Sequence, residues 1–139
     1  VYRAKVDPSS GSVRLTSAVG GRNPAYRTAV GKLLLSEAAK DAAALAALVG
    51  EGPFEQTTPH TITTLDALWA DVVRTRERGY AVDDQENELG VNCLAVPVRL
   101  GPDAGVTGAV SVSALAFRLP LAELVGRVDQ IRDMVGAAA

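Results

Sequence analysis

Residues 79–98 read GYAVDDQENELGVNCLAVPV. Tyr80 to Asp83 alternates as a short strand does, Asp84 to Gly90 is an acidic turn, and Val91 to Val98 is a strand rich in Val and Leu. Gly108 to Leu115 (GAVSVSAL) supplies another strand after a Gly/Pro/Asp loop. Side chains alternate across a strand. One face of the latter two strands therefore carries Leu94, Val96, Val98, Val110, Val112 and Ala114, all apolar. The other carries Val91, Cys93, Ala95, Ser111, Ser113 and Leu115, small and mildly polar. Burial of the first face drives folding. The second leaves space above it and reads as the floor of a small-molecule pocket.

Upstream of this stretch, Thr63-x-x-Asp66 resembles a capping box, and Leu65, Leu68, Trp69, Val72 and Val73 recur on one helical face. Arg74, Arg76 and Arg78 crowd the end of that helix, where the dipole favours positive charge, and Gly79 stops it. Further back, Asp41 caps a short Ala-rich helix to about Val49, and Thr28 caps one running through Gly31, Lys32 and Leu33 to Leu35. Glu51 to Pro59 is a connection broken by Gly52, Pro53 and Pro59. Val1 to Val6 and Val13 to Val19 read as strands, separated by the turn cluster Asp7 to Ser12 and followed by the loop Gly20 to Pro24. Downstream, one helix starts at Pro120, with Leu121, Leu124, Val125, Val128, Ile131 and Val135 as its apolar stripe. Strands at both ends, with helices between and after, predict an α+β fold with an antiparallel sheet.

The chain has 139 residues, enough for one domain with a sizeable core. Its net charge is −2 and no basic run occurs, so these residues are poorly suited to binding nucleic acid by themselves. A lone cysteine, Cys93, excludes an intrachain disulfide and a cysteine-based zinc site, and no metal or cofactor is expected. No apolar run approaches the roughly 18 residues of a membrane span, so no membrane partner is expected. The first residue is Val1, inside a strand-like run, and the chain is expected to be an excised, N-terminally truncated domain.

Ala29-Val-Gly-Lys32 superficially suggests a phosphate loop, but Tyr26 stands where its first Gly belongs and Leu33 follows the Lys in place of Ser or Thr. What remains is a helix start, whose free N–H groups at Ala29 and Val30 make an anion site if that end faces the pocket. Asp83, Asp84, Glu86 and Glu88 lack the Gly and Glu spacing of a calcium loop and read as a solvated turn. Asp83 is the exception, since alternation turns it inward with Ala81. Cys93 reads as a small apolar residue with nothing nearby to activate it. Ser111 and Ser113 either bond neighbouring backbone or face a ligand. His60 lies in a polar surface loop, and no nucleophile, base and orienting group assemble.

Several segments together resemble the IclR (isocitrate lyase regulator) family of bacterial transcription regulators, in its C-terminal effector-binding domain. They are Gly20-Gly-Arg-Asn-Pro with Thr28-Ala-Val-Gly-Lys-Leu-Leu-Leu, Thr61-Ile-Thr-Thr-Leu, Arg78-Gly-Tyr-Ala, Glu86-x-x-x-Gly-Val, Leu94-Ala-Val-Pro-Val and Ala109-Val-Ser-Val-Ser. In this order they cover almost the whole chain. The resemblance implies a GAF-like fold, a curved antiparallel sheet flanked by helices, spanning residues 1–139. It implies that the winged helix-turn-helix domain that reads DNA lies outside this chain, that the domain forms homodimers or homotetramers, and that it is cytoplasmic. It also implies an effector site at Ala29 and Val30, at Asp83, Val91, Cys93, Ser111 and Ser113, with Leu15 and Asn23 completing the wall. Polar Asn23 and the bulk of Val30 depart from the small-acid sensors of that family.

The residues themselves support a related conclusion. A helix start, two hydroxyls and a thiol suit one carboxylate or carbonyl oxygen, while Asp83 would accept a ligand hydroxyl proton or be protonated itself. This favours a hydroxy-, keto- or aromatic acid. The expected function is ligand sensing for a DNA-binding regulator, without catalysis. The alternatives are a small hydrolase using Cys93 or Ser111, and a plain dimerisation module whose pocket is filled.

Overall fold

The computed structural model describes residues 1–9, 15, 17–99, 101 and 105–137. After a 3-10 turn at Ala25–Arg27 come helices α1 (Ala29–Ala38), α2 (Ala42–Val49) and α3 (Leu65–Arg78). Strands β1 (Ala81–Asp84), β2 (Val91–Val98) and β3 (Gly108–Leu115) follow, then helices α4 (Leu121–Val125) and α5 (Val128–Ala137). The strands form one antiparallel sheet in the order β1-β2-β3.

The sheet separates two packed layers. Leu94 and Val96 of β2 meet Leu124 and Ile131 of α4 and α5, with Val82 and Val112 beside them. On the opposite face, Ala81 and Ala95 receive Ala29 and Leu33 of α1. Beyond α1 a third cluster joins Tyr26, Leu35, Leu45, Leu68 and Val72, so α2 and α3 pack on the side of α1 remote from the sheet. Leu33, Leu45, Leu68, Leu94 and Leu124 are fully buried, and each contributes roughly 1.5–3 kcal/mol. The small residues on the α1 face are what let α1 lie close to the sheet.

Helix ends follow side-chain chemistry. Thr28 Oγ1 accepts from Gly31 N at 3.2 Å and Asp41 Oδ1 from Ala44 N at 2.8 Å, as expected. The cap of α3 is Thr64, one residue later than the Thr63-Asp66 spacing suggests; its hydroxyl accepts from Ala67 N. Gly79 ends α3 in the left-handed conformation, φ 73°. Of the arginines there, Arg76 serves another helix: its guanidinium donates to Ser36 O and Ala39 O at the end of α1. Gly31 is required by close approach. A Cβ there would overlap the Ala25 backbone and lie 2.6 Å from Thr28 Oγ1.

Four expectations need correction. The first described strand begins at Ala81, not Tyr80, and includes Asp84. Val1 to Val6 is not a strand; among the described residues Tyr2 pairs through its backbone, its N–H donating to Gly21 O and its carbonyl accepting from Gly20 N. Of the Val13 to Val19 run, residues 13, 14 and 16 lie outside the described residues, as do 10–12 of the preceding turn, and the remainder is not strand. Finally, the helix after Pro120 is two helices, interrupted at Gly126 and Arg127, although the proposed stripe does face the sheet through Leu124 and Ile131.

Candidate functional site

Between the start of α1, the α1-facing side of the sheet and the segments at Leu15 and Asn23 lies a partly open cleft of about 490 Å³ of empty space, its mouth included. The register of the sheet builds its floor. Asp83, Cys93 and Ser113 stand in one row across β1, β2 and β3, and Ala81, Ala95 and Ser111 in the next. Cys93 Sγ and Ser113 Oγ are 3.1 Å apart and hydrogen-bonded. The end of α1 rests over this floor, and helix geometry leaves the first-turn amides of Ala29 and Val30 without intrahelical acceptors.

Every residue expected at the site lines this one cleft: Leu15, Asn23, Ala29 and Val30 on the wall, and Asp83, Val91, Cys93, Ser111 and Ser113 below. Tyr2, Ser17, Thr28, Asn87 and Glu88 line it too and were not anticipated. Ser17 shares an alternating face with Leu15, and Asn87 and Glu88 follow Asp83 in the acidic turn, so weak signals existed. The floor is partly wet. Ser113 is exposed and Ser111 half-buried, because β3 is an edge strand of the described sheet.

The acidic turn is not a solvated one. Glu86 is buried, and both its carboxylate oxygens lie 2.8 Å from Lys32 Nζ, itself fully buried. Lys32 also lies 2.8 Å from Asp71 Oδ2 of α3. A GK pair that fails as a phosphate loop thus supplies the buried cation of an ion-pair network joining α1, α3 and the turn. The turn is held from a second side by threonines. Thr58 Oγ1 donates to Gln85 O at 2.6 Å and Thr61 Oγ1 to Glu86 O at 2.7 Å. His60, in the same 57–61 segment, is exposed and does not line the cleft.

Burial decides the protonation of these groups. It pushes Asp83 up to about 6, against the opposing pull of the Glu86 and Asn87 amides and of Lys32. Asp83 Oδ1 accepts from those amides at 2.7 and 3.3 Å, so one oxygen already serves the turn. Burial also raises Glu86, with Lys32 opposing. For Asp71 burial acts upward, but Lys32 and Arg74 outweigh it and hold the carboxyl below its ordinary value. The Cys93 thiol is pushed up to about 12, by burial first and by the charge of Asp83 second. A thiol of that kind is neutral and a poor nucleophile.

The geometry defines an α+β domain with a partly open cleft set between a helix start and the small-residue face of an antiparallel sheet. The model of the bacterial transcriptional regulator IclR C-terminal family matches residues 1–138, and the chain belongs to that family. It is 36% identical over 133 residues to the HTH-type transcriptional regulator XynR of Escherichia coli K12, covering 96% of this chain and 51% of XynR. It is 40% identical over 98 residues to the HTH-type regulator KdgR of the same organism, covering 70% of this chain and 36% of KdgR. The chain thus spans about half of the first relative and about a third of the second. Among solved structures, the Thermotoga maritima IclR superposes with a TM-score of 0.76 at 28% identity, covering 91% of this chain and 50% of that one. The inducer-binding domain of an Acinetobacter PobR double mutant, in complex with 3-hydroxybenzoic acid, gives 0.75 at 26% identity, covering 90% and 72%. The fold is accordingly GAF-like, as the sequence resemblance implied. Among the described residues no helix is long and apolar enough to cross a membrane.

Proposed function

We propose that residues 1–139 are the effector-binding domain of a transcription regulator, and that the cleft takes a small organic acid whose binding alters how the full regulator engages DNA. The observation that carries this reading is the convergence, in one cleft not filled by side chains, of the α1 start, the Ser111 and Ser113 hydroxyls and the Cys93 thiol. An acid's carboxylate would accept from the Ala29 and Val30 amides and from the serines, in the favourable field of the helix end. The inducer-binding domain of PobR, with its bound hydroxy acid, supports the same class of ligand. The open cleft beside Cys93 weighs against a filled dimerisation module, and its neutral thiol against a cysteine hydrolase.

In this reading DNA is contacted by a part of the regulator outside residues 1–139, in keeping with the HTH-type relatives. The domain works in the cytoplasm as a homodimer or homotetramer and turns over no substrate. Effector binding shifts the arrangement of subunits and so the spacing of the DNA-reading units. The test is calorimetric titration with a panel of small organic acids, repeated on Ser111→Ala and Ser113→Ala. Each variant should bind the selected acid about tenfold to a hundredfold more weakly, with Ser113, more exposed, at the lower end. Binding by both variants that matches the parent protein would place the effector elsewhere.

A further inference from the structure

Asp83 stands on the cleft floor and is only 3% exposed. Its two oxygens are unequal. Oδ1 accepts from the Glu86 and Asn87 amides at 2.7 and 3.3 Å. Oδ2 accepts nothing from the described residues and is not sealed from solvent, so it opens on the cleft. The two N–H donors need a lone pair at Oδ1, so a proton on this carboxyl sits on Oδ2 and points into the cleft.

Among the described residues no cation pairs with Asp83. Lys32 of α1 is committed elsewhere: its Nζ lies 2.8 Å from both Glu86 oxygens and from Asp71 Oδ2 of α3, so it already serves two buried carboxylates. Arg74 lies against Asp71 at 3.0 Å. Arg27, ahead of α1, directs Nε to Asn87 Oδ1 and Nη1 towards Glu55. In the turn itself, Asp84, Glu86 and Glu88 carry the same sign as Asp83. Across the floor, Cys93 of β2 is a neutral thiol bonded to Ser113 of β3, and from the N-terminal segment Tyr2 brings a phenol. Solvent reaches Oδ2 by way of the cleft, so a ligand lying over the floor removes it. An anionic ligand adds repulsion to that desolvation, and both disfavour the charged form. We infer that binding of an acid in this cleft is proton-coupled: Asp83 takes one proton from solvent onto Oδ2 and donates it in a hydrogen bond to the ligand. The inference rests on the effector reading above and deepens it, giving Asp83 the part of a donor whose state follows pH. Burial already pushes this carboxyl up to about 6, which brings the protonated form within reach of neutral pH.

The test is calorimetric titration of the 139-residue protein with lactate, gluconate, pyruvate and 3-hydroxybenzoate at about pH 7.5, in phosphate, HEPES and Tris buffers, whose heats of ionisation differ. The dependence of binding heat on the buffer should give an uptake approaching one proton per ligand. Affinity should fall by up to about tenfold per pH unit between about pH 6 and 8. Near pH 5 the carboxyl is mostly protonated beforehand, so uptake should nearly vanish there. Asp83→Asn keeps an oxygen for the two turn amides and presents a permanent NH2 donor in place of Oδ2. That variant should bind the same acid with no proton uptake and with an affinity flat across the range. Binding heat without buffer dependence in the parent protein would overturn the inference and leave the effector reading standing. Uptake that persists in Asp83→Asn would overturn it too, by placing the proton on another group such as Glu86. No binding heat from any of these acids would overturn both readings.

Discussion

Lys32→Met removes the only cation within the buried cluster that Lys32, Glu86 and Asp71 form, at nearly constant volume. Lys32 is 0% exposed, Glu86 7% and Asp71 5%, so solvent cannot replace the ammonium. Each carboxylate loses a 2.8 Å partner. Breaking such a buried pair from one side costs about 3–5 kcal/mol. In a domain of this size that corresponds to a melting point lower by roughly 10–20 °C. The pH dependence gives the stricter test. Burial already pushes Glu86 up and Lys32 opposes it, while Asp71 is held low by Lys32 and Arg74 against burial. Without Lys32 both carboxyls rise. A carboxyl whose folded pKa exceeds its unfolded value loses stability as pH climbs from the unfolded pKa to the folded one. The deficit of the variant should therefore be largest near neutral pH and shrink towards about pH 5, where protonation relieves the stranded charges. Urea unfolding of parent and variant across that range measures it. A deficit under about 1 kcal/mol, or one that grows as the pH falls, would refute the reasoning.

Asp83→Asn should flatten the stability profile between about pH 4 and 6. The native carboxyl, raised to about 6, loses stability as pH rises through that window, whereas the amide oxygen can still accept from Glu86 N at 2.7 Å. Denaturation across that window checks this, and titration with the selected acid should show a changed preference among acids more than a changed overall affinity. Gly31→Ala should destabilise by about 1–3 kcal/mol, because its Cβ would collide with the Ala25 backbone and Thr28 Oγ1; the melting curve reads the loss. The Cys93 thiol, raised to about 12, should resist a thiol-alkylating reagent near neutral pH in the folded protein and react once unfolded. Cys93→Leu should abolish effector binding by occupying the cleft, seen as loss of heat on titration, while the melting point holds or rises.

Local patterning decides most of the elements here. Thr28, Asp41 and Gly79 announce helix ends because short-range hydrogen bonding and a left-handed φ act within a few residues. Alternation in β2 and β3 separates the packed face from the cleft floor, since neighbouring side chains on a strand point oppositely whatever surrounds them. Hence Cys93, Ser111 and Ser113 were legible as floor residues, while Leu15 and Asn23 came from family resemblance. The fate of the acidic turn was decided only by tertiary contact. Glu86 looks like any exposed turn carboxylate until Lys32, 54 residues earlier in the chain, is brought against it. Likewise Lys32 looks like a polar residue on a helix until α3 and the turn close over it. The orientation of Asn87 depends on Arg27, 60 residues away. Charges and amides have no period that reveals a distant partner, so their pairing is decided only when the chain has folded around them.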